Sequence, residues 1–157
     1  MQFPLTVTVN GDLHELYVDP STSLLKFVRE QLGLTGSKEG CEDSECGACM
    51  MLVDGRPVNS CSYLVLQANR RTVTTVEGLA LGAELHPLQR QFADLGGVQC
   101  GYCTSGMLIS ALALLKVNAT PSETEIRWAL SGNLCRCTGY SKIVEAVNAA
   151  AHEMRGT

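Results

Sequence analysis

The chain has 157 residues, of which 45% are hydrophobic and 18% are charged, a composition typical of one globular domain or two small ones. Its formal net charge of -4 and the absence of any run of Lys or Arg argue against nucleic acid and membrane surfaces as partners. The longest apolar run, residues 107–115, is too short to span a bilayer, and no basic segment followed by an apolar stretch begins the chain. We therefore expect a cytoplasmic protein.

The chain opens with a pattern typical of a β-hairpin. Apolar residues alternate with threonine over residues 5–9, which predicts a strand, and Asn10-Gly11 predicts a tight turn into a second strand over 13–18. Apolar residues on one face then predict a helix over 23–31, which Gly33 ends. The predicted opening order is therefore strand, strand, helix.

A long segment without regular structure is predicted next. Residues 33–49 are too rich in glycine and polar residues for a helix or a strand, and they indicate a functional loop. Two short strands flank Asp54-Gly55, and the β-branched residues of 72–76 predict a closing strand. Because the periodicity changes after this strand, we place the end of a first domain near residue 77.

The second half of the chain has the 3.6-residue period of helices. One face of residues 85–95 is apolar, residues 106–116 are almost entirely apolar, and a last amphipathic helix covers 143–154. The remaining helix is predicted to begin at a capping box, with Thr120 as the N-cap and Pro121 at the first helical position. The fold class is therefore α+β, in which a sheet-containing domain precedes four helices.

A few residues outside these patterns are interpreted as structural. Met107 and Trp128 lie at helical spacing and are predicted to belong to the core. His14, His86 and His152 are isolated from one another and from every cysteine. We expect these histidines to be surface or capping groups and not metal ligands.

Eight cysteines are more than packing alone explains, so disulfides or metal ligation must account for them. Disulfide frameworks are typical of short secreted chains that cannot build a core. This chain is longer, sufficiently apolar and shows no export signal, so metal ligation is the better interpretation. The spacing of the cysteines must then identify the metal.

The first group of cysteines has the spacing of plant-type ferredoxins. Cys41-x4-Cys46-x2-Cys49 is followed by Cys61, and this pattern with a distant fourth cysteine is typical of a 2Fe-2S cluster. The loop must wrap closely around the cluster, which Gly40 and Gly47 allow. A structural zinc site is the weaker alternative, because zinc ribbons use paired C-x2-C motifs.

The second group of cysteines is ambiguous when only its spacing is considered. Cys100-x2-Cys103 is followed after thirty-one residues by Cys135-x-Cys137, and each pair lies beside a predicted helix end. Cysteines one residue apart rarely bond to each other, but both can reach one cluster from a turn. A structural zinc ion is therefore a second candidate for this group of cysteines.

The residues that flank these cysteines resemble a known family. Residues 99–107 (QCGYCTSGM) and 132–140 (GNLCRCTGY) closely resemble the two second-cluster signatures of the molybdenum hydroxylases. Residues 40–49 likewise resemble the first-cluster loop of that family, and the order of all eight cysteines agrees across nearly the whole chain. The chain thus resembles the small 2Fe-2S subunit of enzymes of the xanthine dehydrogenase and aldehyde oxidase type.

This resemblance implies a fold and a function. It implies a β-grasp plant-type ferredoxin domain over residues 1–77 and a helical 2Fe-2S-binding domain over 78–157, with one cluster in each. In the family, electrons pass from a molybdopterin centre through the helical-domain cluster and then the ferredoxin-type cluster to a flavin. The expected function is electron transfer during oxidative hydroxylation of a small organic substrate, with the substrate reaction on a partner subunit.

The expected partners follow from what the chain lacks and from the resemblance. No G-x-G-x-x-G follows a predicted strand, so FAD and molybdopterin are expected on other subunits. The family pattern implies a large molybdopterin-binding subunit, a medium FAD-binding subunit and a dimer of heterotrimers. The substrate is left open, because the large subunit binds it.

The resemblance also assigns residues near the pterin and reveals departures. In the family, the glutamine before the first helical-domain cysteine and the last cysteine lie against the pterin, and these positions match Gln99 and Cys137. Taken alone, Gln99 would be interpreted as a polar residue flanking a helix. The family usually has proline where Ser105 stands, and glycines are common in the loop where this chain has Asp43, Ser44 and Glu45.

Two other functions remain compatible with the cysteine count. A free-standing two-cluster ferredoxin would be a carrier, and we would expect it to be a stable monomer with a polar surface. A zinc-stapled interaction module would be colourless and would not respond to reduction.

Overall fold

The computed structural model describes residues 1–156 and begins with the predicted hairpin. Strands β1 (Phe3–Val9) and β2 (Asp12–Val18) pair antiparallel. Asn10 and Gly11 form the turn with φ values of 52° and 97°, which is the left-handed geometry that an Asn-Gly pair favours. The turn prediction is confirmed.

Three further strands complete a mixed five-stranded sheet. They are β3 (Met50–Val53), β4 (Arg56–Asn59) and β5 (Thr72–Thr74). The strand order is β2-β1-β5-β3-β4, with β5 parallel to β1 and every other pair antiparallel. The chain between β2 and β3 contains the predicted helix and the predicted loop. The helix packs against the sheet, as in a β-grasp fold.

The first helix lies where it was predicted, but most of it is not an α-helix. Ser23 caps a short α1 (Leu24–Lys26), which continues as a π-helix over Phe27–Gln31. The π-helix is wider than an α-helix, and Phe27 and Val28 are both buried beneath the sheet. Apolar periodicity located this helix but could not distinguish the two hydrogen-bond patterns.

Residues between Leu34 and Cys49 form no helix or strand, as the glycine-rich composition predicts. Two 3-10 helices, Val65–Ala68 and Val76–Leu79, lie on either side of β5.

Four α-helices follow, as predicted. They are α2 (Pro87–Asp94), α3 (Thr104–Val117), α4 (Glu123–Ala129) and α5 (Ser141–Arg155). Helix α2 packs on α5, and α3 packs on β3 of the sheet. The α+β fold class is therefore confirmed. Among residues 1–156, no helix is both long enough and apolar enough to cross a membrane.

The predicted start of α4 is wrong by two residues. Ser122 is the N-cap, and its hydroxyl accepts a hydrogen bond from Glu125 N at 3.3 Å. In return, the Glu125 carboxylate accepts from Ser122 N at 2.7 Å. The sequence contains two capping boxes in neighbouring registers, and Thr120 instead donates its backbone N-H to the Asn118 side chain at 3.0 Å. Local spacing alone could not choose between the two registers.

The prediction that Trp128 belongs to the core is also wrong, whereas Met107 is fully buried as predicted. Trp128 is 81% exposed. Helix α4 buries Ile126 and Leu130, and a residue two positions from Ile126 points about 200° away around the helix. Trp128 was assigned to the core by its helical spacing, but the orientation of α4 against α3 and α5 decides which face is covered.

Strand β3 joins the two halves of the protein through both of its faces. Met51 and Val53 belong to the core of the sheet domain, whereas Leu52 belongs to the core of the four helices. Alternate residues of a strand point to opposite faces, so β3 is covered on one side by the π-helix region and on the other by α3. The two cores are therefore adjacent.

The histidines lie at a helix cap or at least partly at the surface. His86 is the N-cap of α2, where its Nδ1 atom accepts a hydrogen bond from Leu88 N at 3.2 Å. His14 is half-buried on β2, and His152 is exposed beside Arg155 on α5.

We expect two substitutions on α4 to have very different effects. Ile126→Ala removes a fully buried side chain and should lower the free energy of unfolding by about 2 to 5 kcal/mol. Trp128→Ala on the exposed face should change it by no more than about 0.5 kcal/mol. Denaturant unfolding of the two variants measures both values, and equal losses would contradict the orientation of α4.

The cap of α2 should make stability depend on pH. Burial, together with the positive charges of Lys116 and Arg90, lowers the pKa of His86, so folding favours the neutral imidazole that accepts from Leu88 N. This stabilisation is present above the unfolded pKa of about 6.5 and is lost as the pH falls through the lower folded pKa.

The thermal midpoint should therefore decrease as the pH is lowered from about 7 to about 5. His86→Asn retains a cap acceptor that does not titrate. The thermal midpoint of this variant should therefore decrease less over the same pH range. An identical pH profile for the two proteins would show that His86 does not contribute.

Candidate metal centres

The first group of cysteines lies at one end of the sheet, where a loop precedes β3 and the chain leaves β4. Cys41, Cys46 and Cys49 lie in the segment before β3, and Cys61 follows β4. Because β3 and β4 form a hairpin, Cys61 returns to the end of the sheet where the loop lies. Cys46 N donates a hydrogen bond to Cys41 Sγ at 3.4 Å. The sheet thus gathers four cysteines that are separated in sequence.

The thiols of this group contact one another in two pairs. Burial and the neighbouring Cys41 thiol raise the pKa of Cys46, and Cys61 is the thiol neighbour of Cys49. Burial, together with the neighbouring Cys61 thiol, raises the pKa of Cys49 to about 11. A bound cation would offset the cost of a buried thiolate at this position.

The backbone of the first group is positioned by small and polar residues. A Cβ atom on Gly40 would lie 2.7 Å from Cys46 Sγ, so a side chain there would have to displace the Cys46 thiol. The buried Ser60 hydroxyl donates to Cys49 O at 2.6 Å, and the Asn59 amide donates to Ser44 O at 2.9 Å. These two contacts tie the loop to the end of β4.

The second group of cysteines lies between helices. Cys100 and Cys103 precede α3, whereas Cys135 and Cys137 lie in the connection from α4 to α5. Here too the thiols contact one another in pairs, since Cys100 contacts Cys137 and Cys103 contacts Cys135. Burial, together with the neighbouring Cys135 thiol, raises the pKa of Cys103 to about 12.

Thr138 and Tyr140 organise the turn that carries Cys135 and Cys137. Burial disfavours the Cys135 thiolate, but hydrogen bonds from Thr138 outweigh it, and the pKa of Cys135 is lowered. The Thr138 hydroxyl lies 3.1 Å from Cys135 Sγ, and the Thr138 N-H donates to the same sulfur at 3.4 Å. The Tyr140 hydroxyl accepts from Cys135 N at 2.8 Å and donates to Asn133 O at 3.1 Å.

Sequence reasoning did not assign a role to either residue. Both stand inside the motif 132–140, so the motif match was the only available signal.

The two groups meet at the boundary between the domains. Leu134 N, one residue before Cys135, donates a hydrogen bond to Cys46 O at 2.9 Å. A cysteine of the first group and a neighbour of the second group are therefore in direct contact through the backbone.

The paired arrangement fits a two-iron cluster better than a single metal ion. A structural zinc needs four ligands around one ion, whereas each iron of a 2Fe-2S cluster takes two thiolates. Two thiol pairs at each group match the second requirement.

The second group reaches the surface, whereas the first is more covered. Cys100 and Cys137 are exposed, and Gln99 beside them is exposed as well. In the first group Cys49 is buried and the other three cysteines are half-buried. Glu42, Asp43 and Glu45 are exposed in that loop, so the acidic stretch is solvated.

Ser105, the departure from the family pattern, does not cap α3. The helix begins at Thr104 with Cys103 as its N-cap. The Ser105 hydroxyl is buried and donates to Ala48 O at 3.3 Å. The substitution of serine for proline thus adds a contact between the two domains.

Comparison with known proteins supports the same interpretation. Residues 7–80 match the family described as the 2Fe-2S iron-sulfur cluster binding domain, and residues 75–148 match the 2Fe-2S binding domain. The nicotinate dehydrogenase small FeS subunit of Eubacterium barkeri is 47% identical over 146 residues, covering 93% of each chain. The xanthine dehydrogenase iron-sulfur-binding subunit of Escherichia coli O157:H7 is 46% identical, covering 89% of each.

This chain belongs to the family of small iron-sulfur subunits of the molybdenum hydroxylases. The solved structure of quinoline 2-oxidoreductase from Pseudomonas putida 86 contains a similar chain, with a TM-score of 0.95, 44% identity and coverage of 99% of this chain and 97% of that one. The family has two 2Fe-2S-binding domains in this order and transfers electrons as part of a multi-subunit oxidoreductase. Zinc and the free-standing carrier are therefore disfavoured.

The Thr138 hydroxyl should tune one of two reduction potentials. A hydrogen bond to a cluster sulfur stabilises the more negative reduced state. Thr138→Val removes the hydroxyl beside Cys135 and should lower one potential by on the order of tens of millivolts, whereas Thr138→Ser should preserve it. A redox titration followed by paramagnetic resonance measures both clusters. Two unchanged potentials would argue against Cys135 as a ligand.

Proposed function

We propose that this chain relays electrons from a molybdopterin-binding large subunit to an FAD-binding medium subunit during oxidative hydroxylation of a small organic substrate. The observation that carries the proposal is the direct hydrogen bond between Leu134 N and Cys46 O. It connects the two cysteine groups through a few backbone atoms, as a relay requires. Membership of the molybdenum hydroxylase family supports the identity of the two ends.

Each cysteine group is proposed to ligate one 2Fe-2S cluster, which when bound accepts and releases one electron. The thiol pairs described above support two ligands for each iron. The first cluster belongs to a domain over residues 1–77, and the second to a domain over 78–157, whose last residue lies outside the described part of the chain. The eight proposed ligands are Cys41, Cys46, Cys49, Cys61, Cys100, Cys103, Cys135 and Cys137.

Exposure supports a direction for the relay. Cys100 and Cys137 are exposed at the second group, so a pterin on a partner subunit can approach that group closely. We assign Gln99 and Cys137 to this contact, because both are exposed and both match the family positions. Electrons then pass to the first group and leave toward the flavin from the loop that holds Cys41.

The surface around the second group supports a partner over a free carrier. Val98, Tyr102 and Leu134 are large apolar residues exposed near the cysteines, with Leu134 58% exposed. A free-standing ferredoxin would be expected to present polar side chains there, whereas a subunit interface covers apolar ones. The proposed assembly is a dimer of heterotrimers. A cytoplasmic location is proposed, because the eight cysteines must remain reduced in order to ligate the two clusters.

Isolation of the native complex through a tag on this chain tests the proposal. We expect molybdenum and FAD to copurify with the chain, together with four irons per chain and two distinct paramagnetic signals after reduction. The matched control is the same chain with Cys61→Ser and Cys137→Ser, which should lose iron at both groups. A complex without molybdenum would remove the hydroxylase function, and a native chain with zinc and no iron would remove the relay.

A further inference from the structure

Three consecutive carbonyl groups of the first cysteine loop are held by the helical domain. Cys46 O accepts from Leu134 N at 2.9 Å, Gly47 O accepts from the Asn133 side-chain Nδ2 at 3.1 Å, and Ala48 O accepts from the Ser105 hydroxyl at 3.3 Å. We call this contact the interdomain seam. Its donors lie within two residues of Cys103 or Cys135, so the seam joins the immediate supports of both cysteine groups.

The seam is buried and closely packed. Asn133 is only 2% exposed, and Gly47 and Gly106 are buried beside it. Loss of this contact would leave the Asn133 amide and the Gly47 carbonyl buried without a hydrogen bond, which costs free energy of folding. The seam is therefore a specific contact and not a loose junction between domains.

Two glycines allow the approach of the domains. A Cβ atom on Gly106 would overlap the Gly47 carbonyl oxygen and lie 3.1 Å from Asn133 Nδ2. A Cβ atom on Gly47 would lie 2.6 Å from Asn133 Nδ2 and overlap Gly132 O, and Gly47 also has a φ of 71°. The first obstacle is in both cases backbone, which cannot rotate away as a side chain can.

Gly106 is the more informative of the two glycines because it lies in a helix. It is the third residue of α3, where helix propensity alone would favour alanine. A side chain at position 106 is excluded by the neighbouring domain and not by the geometry of α3 itself. Gly106 is therefore suited to controlling how closely α3 approaches the first cysteine loop.

We propose that Gly106 and Asn133 are positioning residues that set the separation of the two 2Fe-2S clusters and hence the rate of electron transfer between them. This inference rests on the proposed function, because it takes the two cysteine groups as the cluster sites. Gly106 permits the contact, and Asn133 fixes its register on Gly47 O. Neither residue is a ligand, so each acts through the distance between groups that other residues hold.

The test compares Gly106→Ala and Asn133→Ala with Gly132→Ala in the purified native complex. Gly132 is the matched control, since a Cβ atom there would meet nothing within 4 Å and its φ is not in the left-handed region. The first two variants should retain four irons per chain and both paramagnetic signals. Their magnetic coupling between the two reduced clusters should weaken, and electron transfer between the clusters should slow severalfold.

The outcomes separate this inference from the proposed function. Unchanged coupling and unchanged transfer in iron-loaded Asn133→Ala would overturn the inference, even if Gly106→Ala fails to load iron. Equal weakening in Gly132→Ala would also overturn it, because that change has no contact to disturb. A native complex that lacks two clusters would instead refute the proposed function.

Discussion

The hydrogen bonds from the helical domain to the carbonyls of Cys46, Gly47 and Ala48 are the constraint on which the arrangement of the two cysteine groups depends. Without them the first loop would lose its direct contact with the residues that flank Cys103 and Cys135. The contact needs a carbonyl oxygen to approach the backbone of α3, and only a glycine at position 106 leaves space for it. Packing of α3 on β3 maintains the same approach through apolar contacts.

The electrostatics of the cysteines fit bound iron. Burial raises the pKa of Cys49 to about 11 and that of Cys103 to about 12, so neither thiol would ionise by itself near neutral pH. Metal ligation requires thiolates. Iron and the hydrogen bonds around the sulfurs must therefore offset the cost of forming buried thiolates. Thr138 provides two such hydrogen bonds at Cys135.

Where local patterns had a single solution, sequence-based expectations were confirmed. Asn10-Gly11 admits one kind of turn, and the apolar residues around Met107 admit only a buried helix. Prediction failed where two solutions satisfied the same local rule, as with the capping boxes that begin at Thr120 and at Ser122. It also failed for Trp128, because the covered face of α4 depends on the neighbouring helices.

The sequence by itself determined the chemistry of this protein: two groups of four cysteines, their order, and the flanking residues that resemble one family. These features are local, because ligand type and spacing can be read from short segments. Only the tertiary structure decided which thiols form pairs, that Cys100 and Cys137 are exposed, and that the Cys46 loop docks against Asn133 and Leu134. The docking of the Cys46 loop depends on contacts between residues more than eighty positions apart, and no short segment encodes such contacts.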